Sequence, residues 1–525
     1  MKIFYQIIFL FKTIKNDFFV DSLSKNFINY CKQKWKNNYR NKRKEILIEL
    51  YSVDQTVLAF SFFANILANK LESKLISFSL SERHPALIYF RYRRLVKIYK
   101  SFNTDAHINT ILDSSQVTCA EKIYEIIKLN VKAKKNINKI SINGDVIGNE
   151  IYEAFLRECR LPTIDITSKK FSDFLLKCIK TYVFWNDYFL KNQVSAVVLS
   201  HGIYRFGIIR IIACKYGVPV YLPTVRSLYY LKKANETGLP MFNRYPALFK
   251  KLTIKEKIEA IDWAKKRLAL RFSGVIGVDM SYSEKSAFLI PQANKLLLKK
   301  NNRIKVLIAT HCFFDNPYAY GNNLFTDFFE WLTFLGEISE KTNYDWYLKT
   351  HPDVLPGNND ILRTLLMKYK KIKMLPSESS HLQIIKEGIN FVLTTYGSVG
   401  HEFPLHDVIV INAGDKNPHR AYNFNIHPKT LSEYREYLLN LELVKLNKNS
   451  NKIYEFYFMH HKYFSNQNLF FDSFEAFLEK YSVKKQNSSF AYEYFLNNSD
   501  DTHVSKKISD FIDSRRYCYL DRGSI

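Results

Sequence analysis

Two short motifs in the second half of the chain carry residue types that hold a phosphate. The first, Lys349-Thr350-His351-Pro352-Asp353, closes an apolar run over 344–349 that reads as a strand. Proline stops the strand and biases the preceding residue to extended backbone, so the His351 imidazole projects from the strand end. Lys349 and His351 are two apart and share a face while the strand lasts. The second motif is Thr394-Thr395-Tyr396-Gly397-Ser398-Val399-Gly400-His401-Glu402. Gly397 and Gly400 permit close backbone approach, and Ser398 adds a hydroxyl. A helix beginning near His401 would turn free N–H groups toward an anion. Glu402 in its first turn would accept from ribose hydroxyls or complement the helix dipole. No Walker A loop is present, and no GxGxxG follows the first strand, which argues against an ATPase and against a dinucleotide oxidoreductase.

Histidine is concentrated in the same region: seven of 13 lie between His311 and His427. His311 follows the strand read over 304–310. His419 and Tyr422 lie in the loop that begins Ala413-Gly414-Asp415 and could hold a sugar or base. In the first half, Leu199-Ser200-His201-Gly202 ends a strand in a comparable place. Arg205 and Arg210 follow on its helix, and Arg226 comes after the next strand. Arg205 and Arg226 are candidates for binding an anionic acceptor. A transfer onto a hydroxyl needs a group to take its proton. Glu153 is the first choice, with Asp145 and His201 in reserve. Glu150 is the other carboxylate of that stretch, and an ordinary charged helix face explains any one of the three carboxylates as well. Arg157, four residues beyond Glu153, could pair with it on a helix.

The elements needed to position these groups read as α/β. Residues 194–200 form a buried strand, 204–216 a helix stopped by Gly217, and 218–222 the next strand. Strand, helix, strand implies a parallel sheet. Upstream, 46–50 and 57–63 are apolar, 74–78 is a strand candidate, and 87–99 and 121–131 are helical by spacing. Downstream, strands at 304–310, 344–349, 372–375, 391–394 and 408–412 alternate with helices at 326–338, 361–369 and 381–387. This predicts a second doubly wound sheet. The expected organisation is a helical, basic and aromatic N-terminus over 1–45, a Rossmann-like acceptor domain over 46–290, a Rossmann-like nucleotide-sugar domain over 300–430, and a helical segment over 431–525. Two such domains facing a cleft form the architecture called GT-B, shared by glycosyltransferases and sugar-nucleotide 2-epimerases; the fold alone does not decide between them.

Composition bounds the partners. The chain has 525 residues with 47% hydrophobic, 24% charged and 15% aromatic residues, a globular balance. Lys and Arg number 77 against 50 Asp and Glu, a net charge of +27 that favours polyanionic partners. Seven basic residues and no acidic one occupy 32–44. Phe4, Ile7, Ile8, Phe11, Ile14 and Phe18 fall on one helical face. With that basic run they describe either a helix lying on anionic lipid or an ordinary amphipathic helix packed on the protein. No run is long enough to span a bilayer, and no cleavage site marks a signal peptide. The seven cysteines form no CxxC pair and their number is odd, which points to a reducing compartment rather than a disulfide framework. No Asp-x-Asp and no His/Cys cluster is present, so neither a metal nor a cofactor is expected. No groove-reading or single-strand motif accompanies the charge, which argues against nucleic acid.

Three stretches carry a resemblance to a known family. They are Ile147-Gly-Asn-Glu-Ile-Tyr-Glu-Ala-Phe-Leu-Arg157, Pro162-Thr-Ile-Asp165 and His201-Gly-Ile-Tyr-Arg205. Thr310-His-Cys-Phe-Phe-Asp315 and the two phosphate motifs extend it. Together they resemble surface-carbohydrate biosynthesis proteins of bacterial capsule and O-antigen clusters. Those are similar to the capsule-synthesis family that includes transferases of 3-deoxy-octulosonic acid (Kdo). The resemblance runs from about Asp145 to Tyr422. His-Pro and a serine loop are also similar to bacterial sialyltransferases, which implies that His351 and Ser398 contact the phosphate of a CMP-sugar. The resemblance implies a metal-independent glycosyltransferase that moves a CMP-activated ulosonic acid to a lipid-linked saccharide, in the cytoplasm or on the inner face of the membrane. The family's Gly-Asp before Ile-Tyr is Gly148-Asn149 here, so a base at that position would have to be replaced by Glu150, Glu153 or Asp145. A sugar-nucleotide epimerase and a non-catalytic assembly protein are the rival readings.

Overall fold

The computed structural model describes residues 19–35, 42–280, 283–288, 296–352, 355–446, 449–464 and 469–519. The apolar N-terminal stretch up to Phe18 and part of the basic run after it lie outside these residues. Their described neighbour, the helix Ser22–Lys34, is capped by the Asp21 carboxylate on the Ser24 N–H. It buries Phe27, Ile28 and Cys31 in a core, with Phe27 stacked on Tyr492 at 4.1 Å. That helix is therefore an ordinary packed amphipathic one. Among the described residues no helix is long and apolar enough to cross a membrane.

The chain is α/β, with two Rossmann-like units. The first holds the described residues of 1–151, 166–239 and 465–525; the second holds 152–165 and 240–464. These limits differ from the expected domain boundaries in three places. Residues 240–290 group with the second unit, and so does the short piece Tyr152–Asp165. The end of the chain returns to the first unit.

The first sheet comprises β1 (Lys44–Glu49), β2 (Lys74–Ser79), β3 (Thr104–Asn109), β6 (Gln193–Val198), β7 (Val220–Pro223) and β8 (Leu228–Leu231) in the order β3-β2-β1-β6-β7-β8. All neighbours are parallel except β7 and β8. A two-stranded hairpin, β4 (Ser141–Ile142) and β5 (Asp145–Val146), stands apart from it. Ile46, Leu47 and Ile48 of β1 are fully buried, as expected of a central parallel strand covered on both faces. The helix Asp54–Leu71 covers one face with Val57, Phe60, Phe63 and Leu67. The C-terminal segment completes this core: Phe470, Phe474, Phe477, Tyr492, Phe495, Ile508 and Phe511 belong to the same cluster as Ile46 and Val198. The Arg94 guanidinium holds the buried Asp54 carboxylate at 2.6 Å, and Tyr492 donates to the same group at 2.9 Å. The helix expected over 87–99 is two, Pro85–Arg91 and Arg93–Ser101, broken at Tyr92, whose ψ of 37° is not helical.

The second sheet is wholly parallel: β9 (Lys305–Ala309), β10 (Asp345–Lys349), β11 (Ile372–Met374), β12 (Phe391–Thr394) and β13 (Ile409–Asn412), ordered β11-β10-β9-β12-β13. Trp331, Leu335 and Ile338 of the helix Phe328–Lys341 cover one face with Val306, Ile308 and Leu393. Leu307, Val392 and Val410 face the other side with Phe403 and Ile384. Every strand expected in this half is present.

Candidate functional site

Open parallel sheets bind ligands outside the carboxyl ends of the strands, where the strand order reverses. In the second unit that point lies between β9 and β12: His311 follows β9 and the Ser398 turn follows β12, while Lys349 and His351 come at the end of β10, on the other side of β9. His311, two residues past β9, has its ring 4.4 Å from Tyr396 and 5.3 Å from Phe328. Its Nε2 lies 3.3 Å from Thr394 Oγ1 and accepts from the Tyr396 N–H at 3.4 Å, which assigns the proton to Nδ1. Burial, with the neighbouring His351 second, pushes the ring down to about 3, so it is neutral at pH 7. Gly397 donates to Thr394 Oγ1, and an added Cβ would lie 2.9 Å from that oxygen. The backbone turn is thus packed tightly onto the strand end.

Lys349 ends β10 with 3% exposure. Its ammonium has one bond among the described residues, to the Thr350 carbonyl at 3.5 Å. Desolvation pulls it down to about 8, opposed by Glu402 and Glu378, so it stays charged at neutral pH. The hydroxyls of Thr350 and Thr395, next along each strand end, are buried without a partner among the described residues. The buried ammonium with the orphaned Thr350 hydroxyl next to it in the chain, and the orphaned Thr395 hydroxyl two strands away after β12, are polar groups left for a partner from outside. His351 is exposed, and Ser398 is half-buried with no capping bond from its side chain. Asp353 lies outside the described residues.

Four expectations change here. The helix after Ser398 is a single turn, Val399–Glu402, continued as a 3₁₀ turn through Pro404. It starts two residues earlier than expected and is too short for much of a dipole. Gly400 serves packing: an added Cβ would lie 2.5 Å from the His419 ring. Glu402 is wholly buried and accepts from Arg271 Nε at 2.6 Å, with His381 Nδ1 at 3.9 Å. It anchors the turn instead of facing a ribose. His419 and Tyr422 are also buried, His419 bonded to His401 at 3.1 Å and Tyr422 stacked on Phe424. Burial holds both histidines well below their ordinary range.

In the first unit the strand order reverses between β1 and β6. Glu49, the last residue of β1, accepts from the Ser200 N–H at 2.7 Å. His201 Nδ1 lies 2.6 Å from Ser200 Oγ. Both Glu49 and His201 line a cavity of about 590 Å³, with Arg205 and Phe206 from the next helix. Arg226 lies elsewhere, with its guanidinium 4.8 Å over the Phe474 ring.

The candidate bases are scattered. Asp145 receives Tyr182 OH at 2.5 Å and Lys215 Nζ at 3.0 Å, a structural pair holding the hairpin. Glu150 is bound by Arg210 Nη2 at 2.7 Å, while Arg210 Nε donates to the Gly202 carbonyl and so fixes the loop after β6. Glu153 is buried on the helix Gly148–Cys159 and groups with the second unit, not the first as expected. Sequence reasoning missed Glu49, Arg83, Arg91 and Lys177 of the cavity; the usable signal was an acidic residue ending a buried strand. No cluster of three His, Cys, Asp or Glu among the described residues is arranged to hold a metal.

No protein-family model and no curated protein matches the chain. Among solved structures it is similar to the β-Kdo 2,4 transferase KpsC of Thermosulfurimonas dismutans, at 14% identity over 52% of this chain and 85% of that one, TM-score 0.31. It is also similar to a glycosyltransferase from Rickettsia africae, at 11% identity over 92% and 100%, TM-score 0.22. The UDP-GlcNAc 2-epimerase of Neisseria meningitidis, bound to UDP-GlcNAc, matches at 10% identity over 78% and 97%, TM-score 0.21. A likeness of this size does not carry a function across.

Proposed function

We propose that the protein is a glycosyltransferase of bacterial surface polysaccharide synthesis that uses a nucleotide-activated sugar. The observation that supports this best is Lys349: a buried ammonium at the carboxyl end of β10, next to the switch strand β9, with one long bond among the described residues. A phosphate would supply the counter-charge that this ammonium lacks among them at hydrogen-bond distance. In this reading Lys349, His351 and Ser398 hold the donor phosphate and stabilise the charge it acquires as the sugar–oxygen bond breaks. His311, neutral, offers its Nδ1–H. Arg271 and Glu402 keep the Ser398 turn in place.

The favoured donor is a CMP-activated ulosonic acid such as Kdo, and the acceptor a lipid-linked saccharide. The motif resemblance supports both. Glu153 takes the proton of the acceptor hydroxyl, with His201 as the alternative; the ion pair to Lys215 argues against Asp145. No metal takes part, because a lysine and neutral donors meet the phosphate. The enzyme works at the inner face of the cytoplasmic membrane, held there by its basic N-terminus.

The test is calorimetric titration with CMP, UDP and their sugars. CMP should bind the wild-type chain, and His351→Ala and Ser398→Ala should each weaken it by roughly 1.5–3 kcal/mol, the worth of a charge-assisted hydrogen bond. Lys349→Met should abolish binding at an unchanged Tm. Wild-type nucleotide affinity in all three variants would overturn the placement.

A further inference from the structure

The first unit carries a cavity of about 590 Å³ at the carboxyl ends of its central strands, and its walls are chemically divided. One side is cationic: Arg83 and Arg91 are exposed at the mouth, Lys177 is half-buried, and Arg205 is buried. The Arg83 guanidinium has no ion-pair partner among the described residues. The inner end is different. Glu49 is 1% exposed and sits at the end of β1 beside His201. Its Oε2 is oriented by the Ser200 N–H. Burial pushes Glu49 up to about 7, with the Ser200 bonds opposing, so both protonation states exist at neutral pH. Tyr51 and Tyr92 also line the cavity, rings of the kind that pack on sugar faces.

A cavity of this kind discriminates by charge and by hydroxyl. An apolar ligand would cover the Arg83 and Arg91 guanidinium groups at the mouth without offering either a counter-charge, at the cost of desolvating them. A bare inorganic anion would use the mouth and leave Glu49 untouched. A saccharide bearing a phosphate or carboxylate meets both ends.

We propose that this cavity binds an anionic saccharide, its charged group held by Arg83, Arg91, Lys177 and Arg205 and a hydroxyl hydrogen-bonded to Glu49. The assignment deepens the glycosyl-transfer reading, since it names the acceptor as a sugar already carrying a negative charge. It does not depend on the nucleotide that the second unit takes.

The test uses the full chain without nucleotide. Glucose 6-phosphate, glucuronate, glucose and inorganic phosphate are titrated calorimetrically at pH 7.5. The two charged sugars should bind at least tenfold more tightly than glucose or phosphate. Arg83→Ala and Arg91→Ala, both at the exposed mouth, should weaken both charged sugars tenfold or more and leave CMP affinity unchanged. Glu49→Gln retains an oxygen for the Ser200 N–H. It should weaken glucose 6-phosphate three- to tenfold without altering phosphate binding, at a Tm within a few degrees of wild type. Equal affinity for glucose and glucose 6-phosphate overturns the charge assignment. Equal affinity for phosphate and glucose 6-phosphate overturns the saccharide assignment. Failure of CMP to bind, with charged sugars still bound, instead removes the nucleotide reading and leaves this one standing.

Discussion

The two sheets reverse their strand order at comparable points, yet the groups placed there differ in kind. The first unit puts a buried carboxylate, Glu49, beneath arginines in an open cavity. The second ends β10 with a buried cation, Lys349, and places a neutral His311 after the adjacent β9. Each unit also locks the loop beyond its switch point with an enclosed arginine–carboxylate pair, Arg210 with Glu150 in one and Arg271 with Glu402 in the other. The shared pairs show what the fold requires to hold such a loop. The contrasting carboxylate and ammonium show what is left to chemistry: one end suited to accepting a hydrogen bond from a hydroxyl, the other to neutralising a phosphate.

Acid should separate the units most. Burial lowers His311 to about 3 and His427 and His460 to about 4, and it holds His381, His401, His419 and His461 well down, all in the second unit. A histidine with a lowered folded value contributes stability above its unfolded value near 6.5 and loses it as the pH falls. At pH 5 the three rings with values of about 3 to 4 should each have lost about 2 kcal/mol. In the first unit His107 is held at about 4. Calorimetric melting at pH 7.5 and 5 should therefore show the second unit's transition falling much further; parallel shifts would erase the contrast.

Arg271→Met comes next. Removing one partner of a buried pair leaves a bare charge and costs about 3–5 kcal/mol. The loss should appear in the second transition only, together with weakened nucleotide binding. Unaltered melting would mean that Glu402 is not held by this pair.

Glu49 tests the first unit from the alkaline side. A carboxyl raised from 4.5 to about 7 contributes stability that is complete below pH 4.5 and lost as the pH rises through 7. The span is on the order of 3 kcal/mol. Subtracting the Glu49→Gln pH–stability curve from that of wild type should reveal this decline in the first unit alone. A flat difference would show that the carboxyl titrates normally.

Gly400→Ala is the mildest change. Its methyl group would meet the His419 ring, and overpacking of this kind costs about 1–3 kcal/mol. Stability should fall in the second transition while nucleotide affinity changes little. A selective loss of affinity would return this glycine to the ligand.

The second sheet was legible because each strand is a short apolar run closed by a polar or glycine turn, as at Phe391–Thr394 before Tyr396 and Gly397. In the first sheet β3, Thr104–Asn109, was not legible: an edge strand faces a neighbour on one side only and tolerates the polar sequence TDAHIN. The helix Lys169–Lys191 went unread although Phe171, Phe174, Leu175, Cys178 and Tyr182 mark its buried face. Among candidate site residues, Lys349, His351 and Ser398 stand out in the sequence because their motifs are local. Glu49 was not, because a carboxylate after a strand looks like a solvated end until β6 and Ser200 cover it. The packing partners of Glu402 and Gly400 could not be read for the same reason: Arg271 and His419 lie far off in sequence.

The C-terminal residues in the first unit's core set an order of events during synthesis. Phe470 to Ile512 pack with Ile46 and Val198, the Tyr230 N–H bonds to Tyr517, and Tyr229 bridges to Cys518. All residues of the second unit have been made by Phe464. The second unit can therefore close on the ribosome while β1, β2 and β6 still wait for the aromatic residues that cover them. For that interval the apolar helix Asp54–Leu71 lacks its partners, a window open to chaperones and to aggregation. A stop codon just after Phe464 would spare the second unit, translated just before it, and leave the first, translated earlier, without the residues that cover its core.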